Sequence, residues 1–131
     1  MKQEEKELLL KDLCARLPYG VKIFIDNKVE TLEGLGILDN VAEYGSFLSC
    51  DIDEVKPYLF PLSSMTEEQK KEYNFWKHEV PVCHYEYGDV VEEVELFDSP
   101  ESFEYLIEKH FDYRGLIEKG LAIDATNKNI Y

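Results

Sequence analysis

The chain has 131 residues, 44% of them hydrophobic and 13% aromatic, and a formal charge of −14 from 28 acids against 14 bases. That length fits one domain with enough buried surface for a core, and the composition argues against disorder. The charge disfavours direct contact with DNA or RNA, which needs a basic footprint, and disfavours an anionic membrane surface for the same reason. It suits basic partners, cations or simple solubility.

Gln3 to Leu17 reads as an amphipathic helix. Leu9, Leu13, Arg16 and Leu17 recur at helical spacing, with Leu10 and Cys14 beside them. Arg16 is expected at the edge of that stripe, its stem over apolar atoms. Pro18 ends the helix. The N-terminal segment is acidic, with a Leu run too short for a signal peptide or a membrane span. Cys14, Cys50 and Cys83 are odd in number, far apart and without a CxxC, which argues against a disulfide framework and a structural zinc site. A reducing cytoplasm is the expected location.

"YGVKIFIDNKVETLEGLGIL" reads as two strands turning at Asp26 to Lys28, with Val21, Ile23 and Ile25 on one face. "GSFLSCDI" reads as a third strand after a turn at Asp39 and Asn40. Two prolines in "KPYLFP" speak against a long regular element there. Thr66 opens a middle helix through a capping box with Gln69. That helix is expected to run to about His78, with Tyr73, Trp76 and Lys77 on one side, before Pro81. "VPVCHYEYGDVVEEVELF" returns to strand character around a turn at Gly88 and Asp89. Its Cys83, Tyr85 and Tyr87 are expected on one face, and Val94 and Leu96 on another. Ser99 caps a C-terminal helix that Pro100 opens, with Phe103, Leu106, Ile107 and His110 as its buried stripe. "LIEKG" reads as a further helical turn and "LAIDA" as a last short strand. The expected fold is α+β: one domain over residues 1–131, with an N-terminal helix, short antiparallel strands in a bent sheet or partial barrel, and middle and C-terminal helices. Leu13, Ile23, Trp76, Phe103, Leu106 and Ile107 are expected in the core.

Three stretches, "LLLKDLCARLPYGVK", "KPYLFPLSSMTEEQKKEY" and "HFDYRGLIEKGLAIDA", resemble segments of small uncharacterised proteins encoded in gut-bacterial genomes and their prophages. The resemblance covers about 50 of the 131 residues. It implies a bacterial cytoplasm, including during phage infection. No activity and no functional residue come with it.

The strongest chemical signal lies outside those stretches. From His78 to Glu108 there are ten acids and no Lys or Arg. Glu101, Glu104 and Glu108 fall on one helical stripe, and Glu93 and Glu95 alternate with Val94 and Leu96. Close like charges cost a few tenths of a kcal/mol, roughly, per pair. Solubility is the ordinary reason to tolerate that. The functional alternative is a negative surface, carried by Glu92, Glu93, Glu95, Asp98, Glu101, Glu104 and Glu108, that binds a basic or nucleic-acid-binding host protein as a DNA mimic does. On that reading the protein is a non-enzymatic accessory or inhibitor protein of a phage or mobile element. The rival reading is a small enzyme built on "HFDYRG", where His110, Asp112, Tyr113 and Arg114 could do acid–base or anion-binding work. Each of those four also has a structural role open to it, as a cap, a core ring or a carbonyl partner. A soluble domain with neither activity is the third. No cofactor and no metal are expected. No EF-hand loop is present. "GLG" at Gly34 to Gly36 lacks the following helix of a phosphate loop. The D-x-D of Asp51 and Asp53, and His78 with Cys83 and His84, lack a complete ligand set.

Overall fold

The computed structural model describes residues 1–131, and these form two compact units: Met1–Ser64 with Ile107–Tyr131, and Met65–Leu106. The class is α+β, as the sequence implies, with three helices and eight strands.

The first unit is a helix on a six-stranded sheet. Helix α1 (Gln3–Arg16) places Leu9, Leu10 and Leu13 against the sheet. Cys14, expected beside that stripe, is exposed. The sheet order is β4 (Leu48–Asp51), β3 (Val41–Tyr44), β2 (Lys28–Gly36), β1 (Lys22–Ile25), β5 (Lys56–Leu59) and β8 (Ile123–Asp124). All pairs are antiparallel except β5 with β8. Asp26 and Asn27 carry φ of 50° and 58°, the left-handed pair of a two-residue hairpin turn. That turn fixes the β1–β2 register, so Ile23 and Ile25 enter the core and Lys28 and Val29 stay outside. A bulge between Leu32 and Gly34 bends β2. A Cβ on Gly34 would meet the Glu43 carboxylate at 2.6 Å, so a larger residue there would require the Glu43 side chain to move.

Two strands escape the sequence reading. "GSFLSCDI" does hold a strand, β4, but opens with the turn formed by Gly45, Ser46 and Phe47, and the strand before that turn, β3, is not foreseen. Strand β5 runs through Pro57, against the rule that proline shuns sheet interiors. It has strands on both sides, yet Pro57 is tolerated opposite Ile23. "LIEKG" forms turns, not a helix, and "LAIDA" supplies β8.

The second unit contains helix α2 (Glu67–Phe75), the β6 (His78–Glu86) and β7 (Asp89–Phe97) hairpin, and most of helix α3 (Pro100–Glu108). Thr66 and Gln69 form the expected capping box. The helix ends at Phe75, earlier than expected, and Pro81 lies inside β6. Ser99 caps α3: its hydroxyl accepts from the Ser102 amide at 3.0 Å, and the Ser102 hydroxyl accepts from the Ser99 amide at 2.7 Å.

The buried side of α3 is Ser102, Tyr105 and Leu106, which turns Phe103 outward to 39% exposure and leaves Ile107 half-buried. Trp76 is likewise 46% exposed, because α2 buries none of its residues. Phe103 and Trp76 are therefore not core residues. Leu13, Ile23 and Leu106 are. Phe103→Ala is accordingly expected to cost about 1 kcal/mol or less, against several times that for Leu106→Ala. Urea midpoints of the two variants check this.

Candidate functional site: an acidic and apolar hairpin with two open edges

The β6–β7 hairpin arises from local signals. Each strand has nine residues rich in Val, Tyr and Phe. Tyr87 and Gly88, at φ of 51° and 86°, form the two-residue turn, one residue earlier than the sequence suggests. Pairing runs without a break from Glu86↔Asp89 to His78↔Phe97. No third strand joins this sheet, and every residue of it is exposed except the half-buried Val82 and Val91.

The register assigns the side chains to faces, because residues paired across an antiparallel ladder share a face. One face carries Val80, Val82, Val91 and Phe97 with Glu86, Asp89, Glu93 and Glu95. The other carries Pro81, Cys83, Tyr85, Val90, Val94 and Leu96, with Glu79 and Glu92. Val94 and Leu96 thus share a face with Cys83 and Tyr85, not a separate one: Pro81 pairs with Val94 and Glu79 with Leu96. The first face is mixed acidic and apolar, and the second is mostly apolar.

The acids singled out by the sequence occupy five different settings. Glu93 and Glu95 lie together on the mixed face, while Glu92 points to the opposite one. Glu101 and Glu104 are exposed on α3. Glu108 is exposed too, but belongs to the first unit. Asp98 does structural work. It accepts hydrogen bonds from the Ser102 hydroxyl at 3.0 Å and from the Tyr73 hydroxyl, which it helps hold in the protonated form. Burial is the larger cause of the raised Tyr73 pKa. Tyr105 donates to Glu72 at 2.9 Å, and its ring lies 6.2 Å from that of Tyr73. These bonds tie α2 to α3.

Sequence reasoning missed the apolar half of this surface. Tyr85 (81% exposed), Val94 (65%) and Val90 (60%) share one face of the hairpin and stand in solvent; Phe75 (78%), at the end of α2, is exposed too, its ring meeting that of Trp76 edge-to-face at 5.2 Å. Scattered exposed hydrophobics are ordinary, whereas a concentration of them marks an interaction surface. The available signal was the length of the hairpin against its surroundings. A two-stranded sheet of nine-residue strands has no third layer to bury both of its faces.

The enzyme-like cluster resolves into structural contacts. The Asp112 carboxylate caps a turn, accepting from the amides of Leu116 at 2.8 Å and Ile117 at 2.9 Å. The His110 ring is buried and stacks on Tyr131 at 4.2 Å. Arg114 reaches Asp12 at 3.2 Å and lies 4.8 Å from the Tyr113 ring centroid. The Arg114–Asp12 contact is an ion pair whose alignment falls short of a hydrogen bond. A cleft beside Asp112 and Tyr113 is lined otherwise by Pro61, Leu62, Ser63, Gly115, Ile117 and Glu118, so one carboxylate already bound to two amides is its main buried polar group.

Arg16, expected at the edge of α1's stripe, is fully buried with Asp12. Its Nε donates to Asp12 at 2.8 Å, and its two other nitrogens donate to the carbonyls of Ile107 and Phe111. Asp51 ends β4, while Asp53 sits in the following 3₁₀ turn and pairs with Lys6 at 3.4 Å. His84 and Cys83 face opposite sides of the hairpin. No group of three or more His, Cys, Asp or Glu is arranged to hold a metal ion. No helix is long and apolar enough to cross a membrane.

Comparison with protein-family models, curated proteins and solved structures finds no match for the chain.

Proposed function

We propose that this is a non-enzymatic acidic interaction protein whose second unit binds a basic partner protein. The observation that carries the proposal is the hairpin: a sheet that no third strand joins, with four carboxylates beside exposed Val80 and Phe97 on one face and exposed Tyr85, Val90, Val94 and Leu96 on the other. Acids alone would suit solubility. Acids mixed with exposed apolar groups suit a contact in which Lys and Arg meet carboxylates while their neighbours lose water. Glu101 and Glu104 on α3 add to the charge of the same unit. The partner class is a nucleic-acid-binding protein, whose own basic surface already fits regularly spaced negative charge. The resemblance to prophage-encoded small proteins fits an accessory or inhibitor role in the cytoplasm of a bacterial host.

The test uses bacterial proteins eluted from DNA-cellulose and passed over the immobilised chain. Retention of a defined subset, its release by added duplex DNA, and its decline as salt is raised past the point where the screening length falls below about 8 Å are the expected results. The quadruple variant Glu93→Lys, Glu95→Lys, Glu101→Lys, Glu104→Lys should retain none of that subset. All four residues are exposed, so the fold should survive the change. Equal retention by the variant at low and high salt would contradict the proposal.

A further inference from the structure

The two edges of the β6–β7 hairpin are not equivalent. In an antiparallel ladder, hydrogen-bonded pairs alternate with pairs whose amides and carbonyls point outward. A two-residue turn closes on a hydrogen-bonded pair, here Glu86↔Asp89. Counting from it, His84↔Val91, Val82↔Glu93, Val80↔Glu95 and His78↔Phe97 bond inward. Proline at position 81 agrees with this, since Pro81↔Val94 falls on a pair that needs no inward donor. The outward positions are therefore Glu79, Pro81, Cys83 and Tyr85 on β6, and Val90, Glu92, Val94 and Leu96 on β7. Pro81 has no N–H and its ring projects from the β6 edge, which blocks an added strand there. The β7 edge presents an unbroken row of donors and acceptors, and no strand pairs with it.

We propose that β7 receives an extended strand of the partner protein, in which Lys or Arg alternates with apolar residues. This rests on the acidic-interaction reading above and specifies how the partner is held. The alternation follows from the faces of β7. On one face an incoming strand lies beside Asp89, Glu93 and Glu95, and opposite charges across a ladder attract. On the other face it lies beside Val90, Glu92, Val94 and Leu96, of which the three apolar residues are 60%, 65% and 44% exposed and gain by being covered. Backbone hydrogen bonds hold the strand, and the alternating side chains select it. A second copy of this chain fits poorly at the same edge. Two β7 strands pairing about Glu93 would set Glu93 against its copy, with Asp89 and Glu95 close by on the same face.

The probe is a nine-residue peptide of alternating Lys and Val, and its control is a shuffled peptide of the same composition without alternation. Amide hydrogen exchange of the full chain reads both binding and place. The alternating peptide should slow exchange at Val90, Glu92, Val94 and Leu96 and leave the β6 edge unaffected. Val94→Pro removes one outward donor and, as Pro81 does on β6, leaves the hairpin ladder intact. It should weaken binding about fivefold or more, the loss of one backbone hydrogen bond. Cys83→Pro, the equivalent change on β6, should leave binding unchanged. Retained protection at the inward amides of Glu93 and Glu95 shows that the hairpin persists in each variant. Equal binding of the shuffled peptide would overturn strand addition while leaving the electrostatic reading standing. So would undiminished binding by Val94→Pro. Binding of neither peptide would overturn both readings. Protection of the β7 amides that grows with protein concentration in the absence of peptide would overturn the proposal in favour of a second copy.

Discussion

Asp12→Ala should destabilise the first unit by about 3–5 kcal/mol, the cost of leaving a buried charge without its partner. Asp12 and Arg16 are both fully buried, and the carboxylate accepts from that guanidinium at 2.8 Å. Without it the guanidinium loses a buried counter-charge, which the neutral carbonyls of Ile107 and Phe111 do not replace. Arg16→Ala should be comparably severe, because it strands the Asp12 carboxylate with Arg114 at 3.2 Å as its remaining cation. The double variant Asp12→Leu, Arg16→Met should be less destabilised than the sum of the single changes, since an apolar pair of similar volume needs no compensation. Urea unfolding followed by circular dichroism measures all three. Single variants within about 1 kcal/mol of the parent would show that the pair is hydrated and of little consequence.

Stability should fall as pH is lowered from about 6.5 to about 4, through His110. Burial, and after it the positive charge of Arg16, hold this imidazole neutral and lower its pKa from 6.5 to about 4, although a hydrogen bond to the Tyr19 backbone opposes the shift. The sign follows from proton counting. Between those two values the unfolded chain binds a proton that the folded chain does not, so the contribution is complete above 6.5 and disappears on acidification. Its full size is about 3 kcal/mol. The surroundings explain why the proton is unwelcome. The ring stacks on Tyr131, and its Nδ1 is buried with no acceptor to meet a second N–H. The test is the difference in unfolding free energy between the parent and His110→Asn from pH 4 to 7. Asparagine tolerates the positive φ of 62° at this position, so the backbone is spared. A difference that shrinks toward low pH is the expected result, and a constant difference would mean that His110 serves packing alone.

These two predictions concern residues that the sequence half revealed. Leu9, Asp12, Leu13 and Arg16 fall at i, i+3, i+4 and i+7, so the apolar spacing already contained an acid and a base. Reading only its leucines placed Arg16 at the edge and passed over Asp12. The same limit governs the rest. The two capped helix starts were legible, because capping is a local hydrogen-bonding event. So was the β1–β2 turn, which Asp26 and Asn27 dictate through their tolerance of left-handed backbone. β5 was hidden because its place beside β1 and β8 depends on chain far away in sequence, while its proline argued locally against a strand. Phe103 and Trp76 were misplaced because hydrophobicity was taken as burial, and burial depends on whether another layer arrives. For the hairpin none does within its own sheet. Its acids were visible in the sequence, but their division between two faces depends on the register that Tyr87 and Gly88 set.

The most direct test of an acidic partner-binding surface is amide exchange of the full chain, free and bound to a protein captured from the DNA-cellulose pool. Protection gained on binding should lie within residues 78–106, in the hairpin and the exposed side of α3, and should vanish in the quadruple lysine variant. Protection confined to the first unit, or unchanged in that variant, would contradict the account and leave the acidic run as solvated surface.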